Sequence, residues 1–297
     1  MPQASSRTLR LKRIGTRVIA AVLLALGGIA VSVPFIWMLV SSLKSPEDLL
    51  VYPPALIPRA WRVQNYLDAL YTAQFALFAL NSLIYAGCTT VLTLLLCSMS
   101  GYALARLRFR GAGVIFVAIL ATMMVPEHVR LIPVYTLLKH FPFCGGNDWR
   151  GAGGSGLLDT FPGLILPAAV SAFGIFLMRQ FFLTLPRDLE EAARIDGASE
   201  YTIYWRVALP LCRPALAALG ILTFQWTWNN FVWPLILTSS DRMRTLQLGL
   251  QVFQDVHNTR WELLMAGTVM ATAPLIIAFL LGQRWFIRGI AMTGIKG

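Results

Sequence analysis

Two groups of residues in this 297-residue chain have the types and spacing to do chemistry. The first is Gln225, Trp226, Trp228, Asn229 and Asn230, crowded into an otherwise apolar run. Amides bond hydroxyl groups and an indole face stacks on a pyranose ring, so this set suits a sugar. The same amides are equally suited to holding helices together, since polar groups act as glue between membrane helices. Glu127 follows Pro126 inside another apolar run. It reads either as a carboxylate at a kink facing a pathway or as a polar group at a broken helix near water.

The second group lies in residues 184–213, TLPRDLEEAARIDGASEYTIYWRVALPLCR. Pro186 suits a first helical position, and Asp188, Glu190 and Glu191 sit where a helix dipole favours anions. Arg194 falls near the helix end, and Gly197 suits the left-handed position that closes it. Ser199 can cap a second helix running to about Val207, which Leu209-Pro210 would end. On the first helix Leu189, Ala192, Ala193 and Asp196 share one face. Alanines there let another surface approach closely. Glu190 and Glu191 flank that face, placed to pair with Arg or Lys on a partner. A surface helix packed on its own bundle is the competing reading.

Other chemistry lacks its pattern. His128, His140 and His257 have no HExxH-type metal spacing, and the chain contains no Walker A sequence. Residues 145–156, GGNDWRGAGGSG, are glycine-rich without the Lys of a phosphate loop, and read as a flexible external turn. No nucleophile elbow, paired carboxylates or Ser/His/Asp set can be assembled. Cys88, Cys97, Cys144 and Cys212 show no paired spacing, so no disulfide or metal is implied. Asn81 reads as a packing or capping residue.

The elements that must position these groups follow from composition. Of all residues 57% are hydrophobic and 13% charged, about half the charged share of an average soluble domain. The apolar residues fall into six blocks, near 18–43, 75–104, 114–138, 161–182, 214–237 and 263–286. Each reaches the roughly 20 residues that a helix needs to cross a bilayer. None alternates as barrel strands do, so the fold class is an all-α integral membrane protein of six spans. The first block follows Arg7, Arg10, Lys12, Arg13 and Arg17 but is too long for a cleaved leader and lacks its small-residue site. Residues 1–17 then form a basic segment before a membrane domain at 18–297.

Orientation follows from Lys and Arg. With the N-terminus inside, sixteen of the 25 basic residues and five of the 14 acids face the cytoplasm. The outer side balances nine against nine, so the whole net charge of +11 is cytoplasmic. That accounts for the basic balance without nucleic acid. Both termini and the 184–213 loop are expected inside. The Pro-rich segment 45–74 is expected outside, as an ordered crossover with Trp61 and Tyr66 at the interface.

The loop then carries a resemblance. Glu191-Ala192-Ala193, three residues, Gly197, nine residues, Val207, one residue and Leu209-Pro210 resemble the EAA signature of bacterial ABC importer permeases. That signature is EAA-x3-G-x9-I-x-LP, and the chain departs only in Val207 for Ile. Asn81-Ser82, the stretch GYALAR at 101–106, Phe109-Arg110-Gly111, Met124-Val125-Pro126, IPVY at 132–135 and WTWNNFVW at 226–233 resemble the carbohydrate-importer subgroup. The ending QRWFIRG at 283–289, with GIKG at 294–297, is similar to the second permease of maltose-type systems. The likeness covers residues 18 to 297.

It implies a half-transporter in a bacterial inner membrane, surrounded by membrane lipid. Its partners would be a homologous second permease, two cytoplasmic ATPase subunits and an extracytoplasmic sugar-binding protein. It implies that Glu191 pairs with a basic group of the ATPase, that Ala192 and Ala193 permit docking, and that Gly197 aims the helix. No cofactor is expected on this chain, because ATP and Mg would bind the ATPase, and no enzyme activity is expected. A permease for another solute such as glycerol phosphate is the near alternative. A channel or secondary transporter is the distant one, and the long inner loop would then lack a purpose.

Overall fold

The computed structural model describes residues 6–294 except 73 and 255–258, with side chains described for 16–72, 74–254 and 259–283. His257 and residues 295–297 of the terminal GIKG stretch lie outside the described residues. All regular elements among those described are helical. The chain divides into two compact units, Met1–Thr72 with Phe253–Met270, and Ala73–Val252 with Ala271–Gly297.

In the first unit, helix α1 (Ser6–Ser41) is apolar from Val18 onward, and its residues 16–36 are exposed all round. An all-round apolar helix of this length suits lipid or a partner. The crossover after it is ordered, as its prolines and aromatics predict. Asn65 Nδ2 donates to the carbonyls of Ser42 and Lys44 at 2.9 and 2.8 Å. The Lys44 ammonium sits 4.4 Å from the centre of the Trp37 ring.

The second unit is organised around α2 (Phe75–Arg106). Helices α3 (Ala112–Ala121) and α4 (Glu127–Lys139) meet at a bend of 105°. Pro126 has no N–H and forces Val125 into extended backbone, φ −82° and ψ 115°, so the helical ladder stops there. Next, α5 (Phe161–Ile165), extended by a 3₁₀ turn to Ala168, meets α6 (Ala172–Thr184) at 47°. Ser171 caps α6 by accepting from the Gly174 N–H at 3.2 Å. Then come α7 (Asp188–Ile195), α8 (Glu200–Ile203), α9 (Arg213–Trp228) and α10 (Val232–Leu237), and α11 (Trp261–Gly294) belongs to the first unit up to Met270 and to this one from Ala271.

Among the described residues three helices, α1, α2 and α11, are each long and apolar enough to cross a bilayer. Three bent pairs pass the same test when each pair is taken as one span. The expected third and fourth blocks are therefore broken rather than straight, and the third pair joins residues 200–211 of the inner loop to α9 at 78°. The fifth stops at Trp228 and restarts at Val232, short of the continuous run to 237.

The core of this unit joins α2, α6, α9 and the turn after α8 through Cys97, Tyr102, Met178, Phe182, Tyr204 and Leu219. At Gly101 a Cβ would stand 2.8 Å from that of Met178 and 2.9 Å from the backbone nitrogen of Arg179. α2 and α6 approach closely there because the residue is small. Asn81 is a packing residue, as read from sequence: its amide donates to the carbonyls of Arg242 and Arg244.

Two local expectations change. Leu209-Pro210 does not end the second loop helix. A five-residue π-turn, Tyr204–Ala208, precedes it and helical geometry runs on through Leu211. The widened turn absorbs the missing proline N–H and its clash one turn back. The glycine-rich stretch is a tight knot rather than a flexible turn. Asn147 Nδ2 donates to the carbonyls of Lys139 and Phe141, and its Oδ1 accepts from the Gly154 N–H at 2.7 Å. Asp148 Oδ1 accepts from the Arg150 and Ala152 N–H groups. Glycine is required there by backbone crowding, a cause that composition alone does not distinguish from flexibility.

Candidate functional site

The break between α9 and α10 and the bend between α3 and α4 face one another across a cavity of about 1070 Å³. Glu127, Gln225, Trp226, Asn229 and Asn230 all line it. So do His128 and Arg130 beside Glu127, and Tyr85 and Trp233, which the sequence did not single out for this role. Gln225, Trp226 and Asn229 are exposed to the cavity. Asn229 Oδ1 accepts from Gln247 Nε2 at 3.3 Å, and Asn230 Oδ1 accepts from the Trp233 N–H in the first turn of α10 at 3.1 Å.

Glu127 is held on the wall by the indole N–H of Trp233, which donates to its Oε1. The Tyr85 hydroxyl is buried without a hydrogen-bond partner. A lone buried hydroxyl is costly unless something else satisfies it. The cavity thus offers a carboxylate, a guanidinium, side-chain amides and indole faces, which together suit a hydroxyl-rich solute. Trp228 is not on this wall. It is 3% exposed, donates its indole N–H to the Ala271 carbonyl at 2.9 Å and stacks on Phe224. On a helix, two positions turn a side chain about 200°, so Trp226 and Trp228 face opposite ways.

Helix α7 is closed as its sequence reads. Gly197 has φ +79°, the Gly197 N–H donates to Arg194 O at 3.0 Å, and the Ala198 N–H to Ala193 O at 2.9 Å. These two bonds are the Schellman pair that satisfies the last carbonyls of a helix. Leu189, Glu191, Ala192, Ile195 and Asp196 are exposed and Ala193 is half-buried. Leu209 is half-buried, and Pro210 continues the helical segment that leads to α9.

Glu190 departs from the placement read from sequence. It is 3% exposed and is the one buried side chain of α7. Its Oε1 lies 3.0 Å from Nε of Arg106, and its Oε2 lies 3.6 Å from Nη2 of Arg194. It is therefore spent inside the chain and is not available to a partner, whereas Glu191 remains outside. The Arg106 pairing lies 84 positions away in sequence, which no local pattern reveals. Arg194 also donates to Glu200 at 2.7 Å, which holds that carboxyl below the usual glutamate range and the guanidinium above its own. Among the described residues no group of His, Cys, Asp and Glu gathers as a metal site would.

Residues 94–292 match the family described as binding-protein-dependent transport system inner membrane component. The chain is 38% identical over 271 residues to the arabinooligosaccharides transport system permease protein AraQ of Bacillus subtilis (strain 168), covering 89% of this chain and 90% of the relative. It is 32% identical over 287 residues to the sn-glycerol-3-phosphate transport system permease protein UgpE of Brucella abortus (strain 2308), covering 94% and 97%. Its fold matches, with a TM-score of 0.78 and 26% identity, a chain of a bacterial ABC transporter involved in the import of the acidic polysaccharide alginate, covering 96% of this chain and all of that one. The family is one of transport subunits rather than enzymes. With two thirds of its length inside the match and relatives that align nearly end to end, the chain belongs to the inner-membrane permeases of binding-protein-dependent ABC transport systems.

Proposed function

We propose that the chain forms half of the translocation pathway of an ATP-driven sugar importer and receives its drive through α7. The observation that carries this reading is the exposed face of α7. An eight-residue helix is too short to be stable alone. This one nevertheless leaves Leu189, Ala192 and Ile195 bare, Ile195 being 87% exposed. Small and apolar side chains on one short helix, with Glu191 beside them, suit a cleft on a cytoplasmic ATPase. Two such ATPase subunits would bind ATP and Mg and hydrolyse ATP, a homologous second permease would complete the pathway, and an extracytoplasmic sugar-binding protein would deliver cargo. The distribution of Lys and Arg supports α7 and both termini on the cytoplasmic side.

Cargo is the finer question. The amides of Gln225 and Asn229 with the faces of Trp226 and Trp233 favour a neutral oligosaccharide, as the arabinooligosaccharide relative does. A phosphate ester is the second reading, favoured by Arg130 on the same wall and by the glycerol-3-phosphate relative.

The test is purification of the tagged chain from its native membranes. An ATPase and a second permease should come with it in equal proportion. Both Glu191→Ala with Gly197→Asp in one chain and Ala192→Trp alone should release the ATPase and leave the second permease bound. Isolation of the chain alone, or as a homo-oligomer indifferent to these changes, would overturn the reading and favour a channel or secondary transporter. Co-purified binding protein, titrated with arabinotriose and with glycerol 3-phosphate, decides the cargo.

A further inference from the structure

The residue of α7 that faces inward is as informative as those that face out. Glu190 meets Arg106 in an ion pair whose side chains are 4% and 3% exposed. The Nε–Oε1 contact is 3.0 Å but lacks hydrogen-bond alignment, so neither atom has a hydrogen-bond partner. Arg106 Nη2 donates at 2.6 Å to the carbonyls of both Phe182 and Leu185, the end of α6 and the residue after it. One turn back along α2, the Tyr102 hydroxyl donates to Glu200 at 3.2 Å. Arg194 stands between Glu190 and Glu200, at 3.6 and 2.7 Å. Charges therefore alternate from Arg106 through Glu190 and Arg194 to Glu200, and Tyr102 returns the chain to α2.

A reverse contact ties the same two helices. Arg179 Nε of α6 donates to the Leu104 carbonyl near the end of α2, and its guanidinium lies 4.0 Å from the centre of the Phe116 ring. Each helix thus ends under an arginine from the other, where a cation also suits the helix dipole.

A buried ion pair is a poor device for stability alone, because desolvation offsets most of the attraction and an apolar pair often holds as well. What it supplies is a fixed direction and register. Force applied to the outer face of α7 has one fully buried side chain of that helix through which to enter the bundle, and that side chain is Glu190.

We infer that Arg106 and Glu190 are positioning residues for coupling: their buried pair, with the Phe182 and Leu185 carbonyls, locks α7 to α2 and α6 so that the three move as one body. The inference rests on the reading of α7 as the helix that receives the ATPase.

The test uses nitroxide labels at Asp188→Cys at the start of α7 and Val91→Cys on α2, both exposed, with Cys88 and Cys144 changed to Ser. Distances are read by electron–electron resonance in the assembled transporter, without nucleotide and with MgATP plus vanadate. The parent should give the same narrow distribution in both states. Glu190→Gln and Arg106→Gln should broaden it or add a second distance, and Glu190→Asp should restore the narrow one. A parent distance that shifts with nucleotide would overturn the inference, and so would an unchanged narrow distribution in both glutamine variants. The parent measurement stands even where a variant fails to accumulate. Failure of the underlying reading is separate: it is an ATPase that still co-purifies with Ala192→Trp.

Discussion

The indole N–H of Trp228 reaches the carbonyl of Ala271 at 2.9 Å, tying the end of α9 to the last helix. Trp226, two positions earlier, is 46% exposed and lines the cavity. One aromatic run thus serves packing and pathway on opposite faces of the same helix.

Truncating the two should separate stability from transport. Trp228→Ala removes a buried indole and its bond to the Ala271 carbonyl, at a cost of about 3–5 kcal/mol. Trp226→Ala loses little packing and should leave the melting temperature nearly unchanged while raising the KM for uptake. Melting in detergent and uptake kinetics in vesicles check the pair. A Trp226 variant that melts early with unaltered KM would place that ring in the packing instead.

The glycine knot makes a second contrast. At Gly151 the backbone has φ +77°, and a Cβ would meet the His140 carbonyl oxygen at 2.0 Å. Gly151→Ala should therefore cost roughly 1–3 kcal/mol, from strain at a backbone conformation that L residues avoid. Gly113 has ordinary helical backbone on α3 and nothing within 4 Å, so Gly113→Ala should be neutral or slightly stabilising. Thermal unfolding of both variants decides whether the loop is built or merely loose. Equal melting temperatures would return it to the flexible turn its composition suggests.

Much of this was legible in the residues, and the misses share a cause. Composition and block length set the all-helical membrane class, because a bilayer leaves few ways to satisfy backbone polar groups. The closure of α7 at Gly197 was legible because a Schellman motif is written in consecutive residues. Pro126 marked the kink beside Glu127, though not that it would reach 105°. What stayed hidden depends on residues far apart in sequence. Glu190 looks outward until Arg106 is placed beside it, and Tyr85 and Trp233 join the cavity only when α2, α4 and α10 are brought together. Helical periodicity showed which residues share a face without showing which face is covered.

The Arg194–Glu200 bond makes a prediction in pH. The arginine's hydrogen bond holds the Glu200 carboxyl below its ordinary range, with the Tyr102 hydroxyl adding to the effect and burial opposing it. A carboxyl lowered on folding contributes stability above its unfolded value, and that contribution is lost as pH falls through the lowered native one. Both side chains are more than a third exposed, so solvent screens the pair and holds its worth to about 1 kcal/mol at most. The advantage of the parent over Glu200→Gln should therefore be small but measurable at neutral pH, shrink on acidification below the usual glutamate range, and shrink also in high salt. Thermal unfolding of both proteins across that acidic window gives the answer. An advantage that grows as pH falls would mean that the carboxyl is neutral in the folded chain, and that the charge chain between α7 and α8 is broken at Glu200.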